Sequence, residues 1–170
     1  MALREVAGDQ VRKIAEQGLL TDEASGLAHE AVMVALSSDP SHAEALIRKA
    51  TSLASHLSVR CYAVYVQKKS ESPTQIDSTL QRKIQANLKL ANALGAEVVT
   101  LQGDNVVETL VTFATTHQVK HAVFGKPRRS ILLERIKGSL IMEFVHDSVG
   151  IDVHVVTVTG EESDERPTHA

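Results

Sequence analysis

The sequence predicts an α/β fold in which five parallel strands, in the order 3-2-1-4-5, form a doubly wound sheet with helices on both faces. Five short apolar segments alternate with longer segments whose apolar residues recur at helical spacing. Aromatic residues make up only 3% of the 170 residues, and tryptophan is absent. The core must therefore consist of aliphatic side chains, which is typical of sheets buried on both faces.

The first part of the chain is predicted to lead into the central strand. Residues 1–30 are expected to form an amino-terminal helix and a polar connector, because apolar residues recur at helical spacing only over residues 2–18. The continuous apolar run Ala31–Leu36 predicts a buried strand, and a helix is expected to begin between residues 39 and 41. The predicted buried positions of that helix are Leu46, Ile47, Ala50, Leu53, Ala54 and Leu57.

The middle of the chain repeats the same alternation of strand and helix. The apolar segment Val59–Val66 predicts the second strand, and a long helix is expected over residues 74–94, ended by Gly95. Glu97–Leu101 predicts the third strand. Asp104 or Asn105 is expected to cap the next helix, because both side chains accept hydrogen bonds from helix N–H groups.

Two further strands complete the predicted sheet. Ala122–Phe124 predicts the fourth strand, residues 139–148 a helix, and Ile151–Val158 the fifth strand. Residues 31–159 are therefore expected to form the α/β domain. The segment over residues 160–170 is acidic and then polar, and it is expected to be a disordered tail.

Composition excludes several classes of function. The net charge is −3 and the isoelectric point is near 6.2, so general nucleic-acid binding is not expected. The single cysteine, Cys61, lies in an apolar strand pattern and indicates a buried thiol in a reducing compartment. No apolar run is long enough to span a membrane, and no signal-peptide pattern begins the sequence. A cytoplasmic location is therefore predicted.

The segment Gly125–Ser139 concentrates positive charge between the fourth strand and the following helix. It contains five cationic residues and one acidic residue, so its net charge is +4. We expect a tight turn at Gly125 and a helix that starts at Gly138-Ser139, where unpaired N–H groups favour an anion. The cations of the segment are Lys126, Arg128, Arg129, Arg135 and Lys137.

Ligands of doubly wound sheets bind where the strand order reverses, beyond the carboxyl ends of the strands. In the predicted order this point lies between the first and fourth strands. Ser37 and Ser38 follow the first strand, and the basic segment follows the fourth. These two loops are therefore predicted to flank an anion site, with Arg128 and Arg129 paired to phosphate oxygens.

The spacing Gly125-x2-Arg128-x9-Gly138-Ser139 resembles a motif of the universal stress protein superfamily. Its ATP-binding members carry Gly-x2-Gly-x9-Gly-Ser/Thr, whose backbone surrounds the phosphates and the ribose. Three of the four motif positions match, and Arg128 stands where the second glycine would be. The resemblance implies a universal stress protein fold and makes ATP a candidate ligand.

Longer segments resemble the universal-stress-type domain of KdpD potassium-sensor histidine kinases: CYAVYV, NLKLANALGAEVVTLQGD and FGKPRRS. The resemblance extends over nearly all of residues 2–158. It implies a regulatory role in potassium and osmotic stress signalling, with other sensor-kinase domains or stress proteins as partners. The Walker loop and kinase portion of that family are absent from this sequence, so the chain is interpreted as an excised domain or a free-standing relative. Because no catalytic motif occurs, it is not expected to be an enzyme.

In some of these kinases the domain is a receptor for cyclic di-AMP, which is therefore a second candidate ligand. The family motif is Ser-x-Ser followed later by Phe-Thr-Ala-x-Tyr. On this sequence the first serine matches Ser37, Asp39 stands at the second position, and Ala63 and Tyr65 are retained. Tyr65 would then stack on a base, or it would simply fill the sheet.

Three interpretations remain open from the sequence. The leading one is a regulatory domain that binds a small anionic nucleotide or metabolite; the second is a protein-interaction module without a small ligand, forming a homodimer through the apolar last strand. The third, an ATP hydrolase, lacks acidic or metal-binding partners. The eight histidines show no repeated ligand spacing, so no metal site is predicted. The predicted nucleotide- or anion-binding residues are Ser37, Ser38, Tyr65, Gly125, Lys126, Arg128, Arg129, Gly138 and Ser139.

Overall fold

Five strands and four α-helices alternate along the part of the chain that the computed structural model describes, residues 30–37, 42–71, 76–126 and 139–157. The strands are β1 (Ala31–Leu36), β2 (Arg60–Gln67), β3 (Glu97–Gln102), β4 (Val119–Gly125) and β5 (Asp152–Val156). The helices are α1 (Ala43–Leu57), α2 (Ser78–Ala93), α3 (Val106–Thr116) and α4 (Leu140–Asp147), with a short 3₁₀ helix at Lys69–Glu71 after β2. The predicted alternation of strand and helix is confirmed.

The strands form one sheet in the order β3-β2-β1-β4-β5, and every neighbouring pair is parallel. This confirms the predicted fold and strand order. β1 is central and pairs with β2 from Ala31 opposite Arg60 to Leu36 opposite Tyr65. Its pairing with β4 shifts register between Ala31 and Val32. The strand order therefore reverses between β1 and β4, where a doubly wound sheet binds its ligands.

Two apolar cores lie on opposite faces of the sheet, because alternate residues of each strand point to opposite sides. One core includes Val32 and Val34 with buried residues of α1 and α2, and the other includes Met33 and Val64 with residues of α3 and α4. We call these faces the α1/α2 face and the α3/α4 face. No described polar or charged residue is buried, which agrees with the aliphatic core expected from composition.

Helix caps explain where the helices begin. The Asp77 carboxylate accepts hydrogen bonds from the N–H groups of Thr79 and Leu80, so α2 begins at Ser78 and not at the predicted residue 74. Of the two candidates for the next cap, Asn105 is the one used: its side chain accepts from the N–H of Glu108.

Other predicted boundaries also change. The fourth strand is longer than Ala122–Phe124 because backbone pairing with β1 already begins at Val119. The fifth strand begins at Asp152 rather than Ile151. Leu57 was predicted to be buried, but its position in the last turn of α1 leaves it 42% exposed.

The predictions for residues 1–29 and 158–170, including the amino-terminal helix and the tail, lie outside the described residues. In the ranges that are described, no helix combines the length and the apolar character needed to cross a membrane.

Candidate functional site

The carboxyl ends of β1 and β4 bring two of the predicted binding segments to the same edge of the sheet. Val34 pairs with Val123, so continuing this parallel register places Leu36 level with Gly125. Ser37 follows directly after β1, and Lys126, which is exposed, follows directly after β4. The edge between β1 and β4 is therefore flanked by Ser37 on one side and by Gly125-Lys126 on the other, and we call it the β1/β4 edge.

Gly125 serves the packing of α1. A Cβ atom at this position would lie 3.0 Å from Cδ1 of Leu46, which is tighter than almost all real contacts of this kind. The predicted tight turn at Gly125 is wrong, because the strand ladder continues past it: the N–H of Lys126 donates to the carbonyl of Val156 at 3.0 Å. The absence of a side chain thus lets α1 approach the β1/β4 edge closely.

Ser139 is the N-cap of α4, in agreement with the predicted start of this helix. Its Oγ accepts from the N–H of Met142 at 3.2 Å, and its carbonyl accepts from the N–H of Glu143 at 3.0 Å. Because α4 connects β4 to the parallel strand β5, its first turn lies at the carboxyl edge of the sheet. The positive end of the α4 dipole is therefore on the same edge as Lys126.

Tyr65 lies in a different environment from the exposed residues Ser37 and Lys126. It is only 4% exposed and belongs to the core on the α1/α2 face. Of the two roles considered for this ring, filling the sheet agrees with its burial. The four other predicted binding residues, Ser38, Arg128, Arg129 and Gly138, lie outside the described residues.

The sequence of this chain is similar to part of the KdpD sensor proteins. No protein-family model matches the chain. A Mycobacterium tuberculosis relative, sensor protein KdpD, is 32% identical over 130 residues, covering 76% of this chain and 14% of the relative. A Synechocystis relative that carries the KdpD sensor name is 25% identical over 158 residues, covering 92% of this chain and 42% of the relative. The chain thus spans less than half the length of these relatives.

Solved structures agree with the strand order. A universal stress protein in complex with cAMP matches with a TM-score of 0.57 and 20% identity, over 76% of this chain and 98% of that protein. The chain therefore has a universal stress protein-type fold and is similar in sequence to part of the KdpD sensor proteins. A universal stress protein from Archaeoglobus fulgidus in complex with dAMP matches with a TM-score of 0.53 and 16% identity, over 74% of this chain and 96% of that protein.

An ion pair that the sequence did not suggest joins two loops at the carboxyl edge of the universal stress protein-type domain. Nζ of Lys69 lies 3.1 Å from Oδ2 of Asp104, and the Lys69 N–H donates to Oδ1 at 3.5 Å. The side-chain hydrogen bond with Lys69 lowers the pKa of Asp104, although both side chains are exposed. Asp104 therefore ties the loop after β3 to the loop after β2 instead of capping α3.

A histidine pair on β4 and β5 is also new. Nδ1 of His121 lies 3.3 Å from Nε2 of His154 and 3.7 Å from Oδ2 of Asp152. The two histidines are separated by 33 positions, and only the register of β4 and β5 brings them together. Across the described ranges, no group of three or more histidine, cysteine, aspartate or glutamate side chains is placed to hold a metal ion.

Cys61 has the environment of a structural thiol in this domain. It lies in β2, is 7% exposed and packs in the core on the α1/α2 face. Burial raises the pKa of Cys61 to about 11. Because the thiolate is the nucleophilic form, Cys61 stays neutral and unreactive at neutral pH, as the apolar pattern around it predicted.

Proposed function

We propose that this domain binds an adenine nucleotide at the β1/β4 edge and that the bound nucleotide regulates a KdpD-type sensor in potassium and osmotic stress signalling. The observation that carries the proposal is that the capped N-terminus of α4 and Gly125-Lys126 lie at the same edge of the sheet, where the strand order reverses between β1 and β4. A helix N-terminus and an exposed lysine together favour an anionic group at this edge.

The relatives support an adenine nucleotide in particular. Two structurally similar universal stress proteins were solved with cAMP and with dAMP. Both nucleotides combine an adenine base with a single phosphate group. ATP and cyclic di-AMP, the candidates from the sequence motifs, contain the same base and more phosphate.

Each binding residue has a distinct proposed task. Lys126, Arg128 and Arg129 neutralise phosphate oxygens, and arginine can do so through two parallel hydrogen bonds. The first turn of α4, which Ser139 caps, adds N–H groups and the positive end of a helix dipole. Ser37, at the end of β1, lies on the opposite side of the β1/β4 edge and contacts the sugar or base.

The proposed role is regulatory and not enzymatic. Nucleotide occupancy changes the surface that the domain presents to other sensor-kinase domains or stress proteins in the cytoplasm. Turnover of ATP is not proposed, because the sequence contains no catalytic motif.

We expect the double substitution Arg128→Glu/Arg129→Glu to weaken nucleotide binding by about tenfold or more, because two phosphate partners become repulsive charges. Isothermal calorimetry with cAMP, ATP and cyclic di-AMP measures the effect. The parent affinity should also fall as salt rises, since screening weakens charge contacts at a surface.

The matched control is Arg82→Glu/Lys83→Glu, which makes the same charge change at two exposed positions of α2. It should bind like the parent. Equal affinity of the parent and the Arg128→Glu/Arg129→Glu variant, or no binding of all three nucleotides by the parent, contradicts the proposal.

A protein-interaction role is the second candidate, and a group of exposed apolar side chains favours it. β5 is at one end of the strand order, and Val155 on this strand is 50% exposed. Three further apolar side chains are exposed in α4 and just after it: Met142 is 63% exposed, Val145 45% and Val149 93%. A second copy of the chain that pairs along β5 would cover apolar surface and an open strand edge at the same time.

Under this second candidate, Val155→Lys should convert a dimer to a monomer, because a charged side chain would be forced into the contact between copies. Sedimentation velocity reads the result. Leu57→Lys, at a comparably exposed apolar position in α1, is the control and should leave the dimer intact. A parent protein that sediments as a monomer at all concentrations excludes the homodimer.

A further inference from the structure

The two histidine rings on β4 and β5 form a direct hydrogen bond across the last strand pair of the sheet. The register pairs His121 with Asp152 and Val123 with His154, so the two rings meet across a diagonal. Val123 contributes to the core on the α1/α2 face, so both rings lie on that face. Nδ1 of His121 and Nε2 of His154 face each other at 3.3 Å, and the ring planes are tilted by 47°.

The hydrogen bond between the rings requires that one of the two facing nitrogens carries no proton. A neutral imidazole has one donor and one acceptor nitrogen, whereas a protonated imidazole has two donors. The pair can accept one proton at a nitrogen outside the contact, and the bond between the rings is then charge-assisted. A second proton would place an N–H group on both facing nitrogens and a positive charge on each ring. Like charges on adjacent strands are destabilising, so the second proton breaks the contact.

Among the described side chains, Asp152 is the charged group that contacts the pair. Its Oδ2 lies 3.7 Å from Nδ1 of His121, so it favours the first proton. The Asp152 side chain is 80% exposed, so water weakens its attraction and one carboxylate cannot offset two cations. The His121 side chain is 22% exposed, which gives protons access to the contact.

Other charged groups near this face do not contact either ring. β1, on the other side of β4, has no titratable side chain. α1 packs against β4 on this face, and neither a hydrogen bond nor an ion pair joins its described side chains to the two histidines. The titratable residues of α1 are Glu44, Arg48, Lys49 and His56. Glu44 and Arg48 pair with each other, and His56 contacts Ser52 of its own helix.

The start of β5 is held weakly apart from this contact. β5 is five residues long, lies at the end of the strand order and contains no fully buried residue. Its other end is attached to β4, because the N–H of Lys126 donates to the carbonyl of Val156 at 3.0 Å. Loss of the contact between the histidines would therefore loosen the start of β5 and leave its end on the sheet.

We propose that the contact between His121 and His154 is a pH-sensitive switch that holds the start of β5 on the sheet at neutral pH and releases it on acidification. The closed contact holds at most one proton, whereas the two separated rings hold two. The form that binds more protons is favoured as pH falls, so the open form gains on acidification. The stabilisation by this contact is therefore present above the range where imidazole protonates and is lost as pH falls through that range.

This switch is separate from the proposed nucleotide site. His121 lies near the start of β4, while Gly125, which flanks the β1/β4 edge, is the last residue of that strand. Release of β5 and binding of nucleotide can therefore be measured independently, and failure of one proposal leaves the other standing.

Amide hydrogen exchange of the full chain, followed by NMR between about pH 8 and about pH 5, tests the proposal. The measured quantity is the protection factor, the exchange rate of an unstructured chain at the same pH divided by the observed rate. In the parent, protection of the β5 amides should fall by about tenfold on acidification, the factor that corresponds to one pH unit of proton linkage, while protection of β1 stays constant.

His121→Gln and His154→Gln should each remove this pH dependence. A glutamine amide can donate to or accept from the remaining ring in either protonation state, so protonation no longer breaks the contact. Asp152→Asn should move the loss of protection to higher pH, because the carboxylate no longer offsets positive charge on the rings. Since Asp152 is exposed, this variant tests the contact without removing a ring.

His56→Gln is the matched control, because His56 is exposed on α1 and its ring contacts only the Ser52 residue of its own helix. It should keep the pH dependence of the parent. Circular dichroism melting at neutral pH confirms that each variant is folded. If β5 protection in the parent does not change with pH, or if it falls equally in the parent, Asp152→Asn and the folded glutamine variants of the pair, the proposal is overturned.

Discussion

Phe144→Ala should lower the free energy of unfolding by about 3–5 kcal/mol, the usual cost of removing a fully buried phenylalanine. Phe144 is completely buried, and its ring lies edge-on to Phe124 with centroids 5.0 Å apart. It is the buried residue of a helix only eight residues long, so its loss removes the main contact between α4 and the sheet. Urea denaturation measures the change.

Because α4 starts at the β1/β4 edge, the same variant should also bind nucleotide more weakly than the parent. Met142→Ala is the control on the same helix, since Met142 is 63% exposed and should change stability by about 0.5 kcal/mol at most. If Phe144→Ala and Met142→Ala unfold at the same urea concentration, the packing of Phe144 does not stabilise α4 against the sheet.

Ile47→Ala, on the face of the sheet opposite Phe144, should lower the free energy of unfolding by about 2–5 kcal/mol, because it removes buried carbon atoms and leaves a cavity. Ile47 is fully buried in α1 and belongs to the core of the α1/α2 face. α1 contacts the three strands β1, β2 and β4, so the cavity would lie beneath the centre of the sheet. Thermal and urea unfolding both report the loss.

Leu57→Ala provides the comparison, because it removes the same number of carbon atoms from a position that is 42% exposed. Its effect should be clearly smaller than that of Ile47→Ala. Equal effects would mean that the last turn of α1 packs against something beyond the described residues.

The fold was predictable because its signals are local and repeated. Each strand carries its own apolar run, and the alternation of strand and helix leaves few sheet orders. Ends of elements were less predictable, since they depend on single caps such as Asp77 and on pairing partners. Val119 joins β4 although Lys120 and His121 interrupt the apolar run, because β1 supplies the backbone partners.

The candidate site was predictable only in part. Ser139 was found because a serine before an apolar helix pattern is a local signal. The packing role of Gly125 was not predictable, because the side chain that a Cβ there would crowd belongs to Leu46, which is distant in sequence. The contacts Lys69–Asp104 and His121–His154 left no trace in the sequence, because they depend on register between separate elements.

The aliphatic interior has a consequence for how this domain can receive a signal. Within the described ranges the inside of the molecule holds no charged side chain, and burial keeps the thiol of Cys61 protonated up to strongly alkaline conditions. Acidification, salt and small ions therefore meet no charged group in the described interior. A signal must therefore act on groups at the surface, and the interior can transmit it only through movements of whole helices or strands.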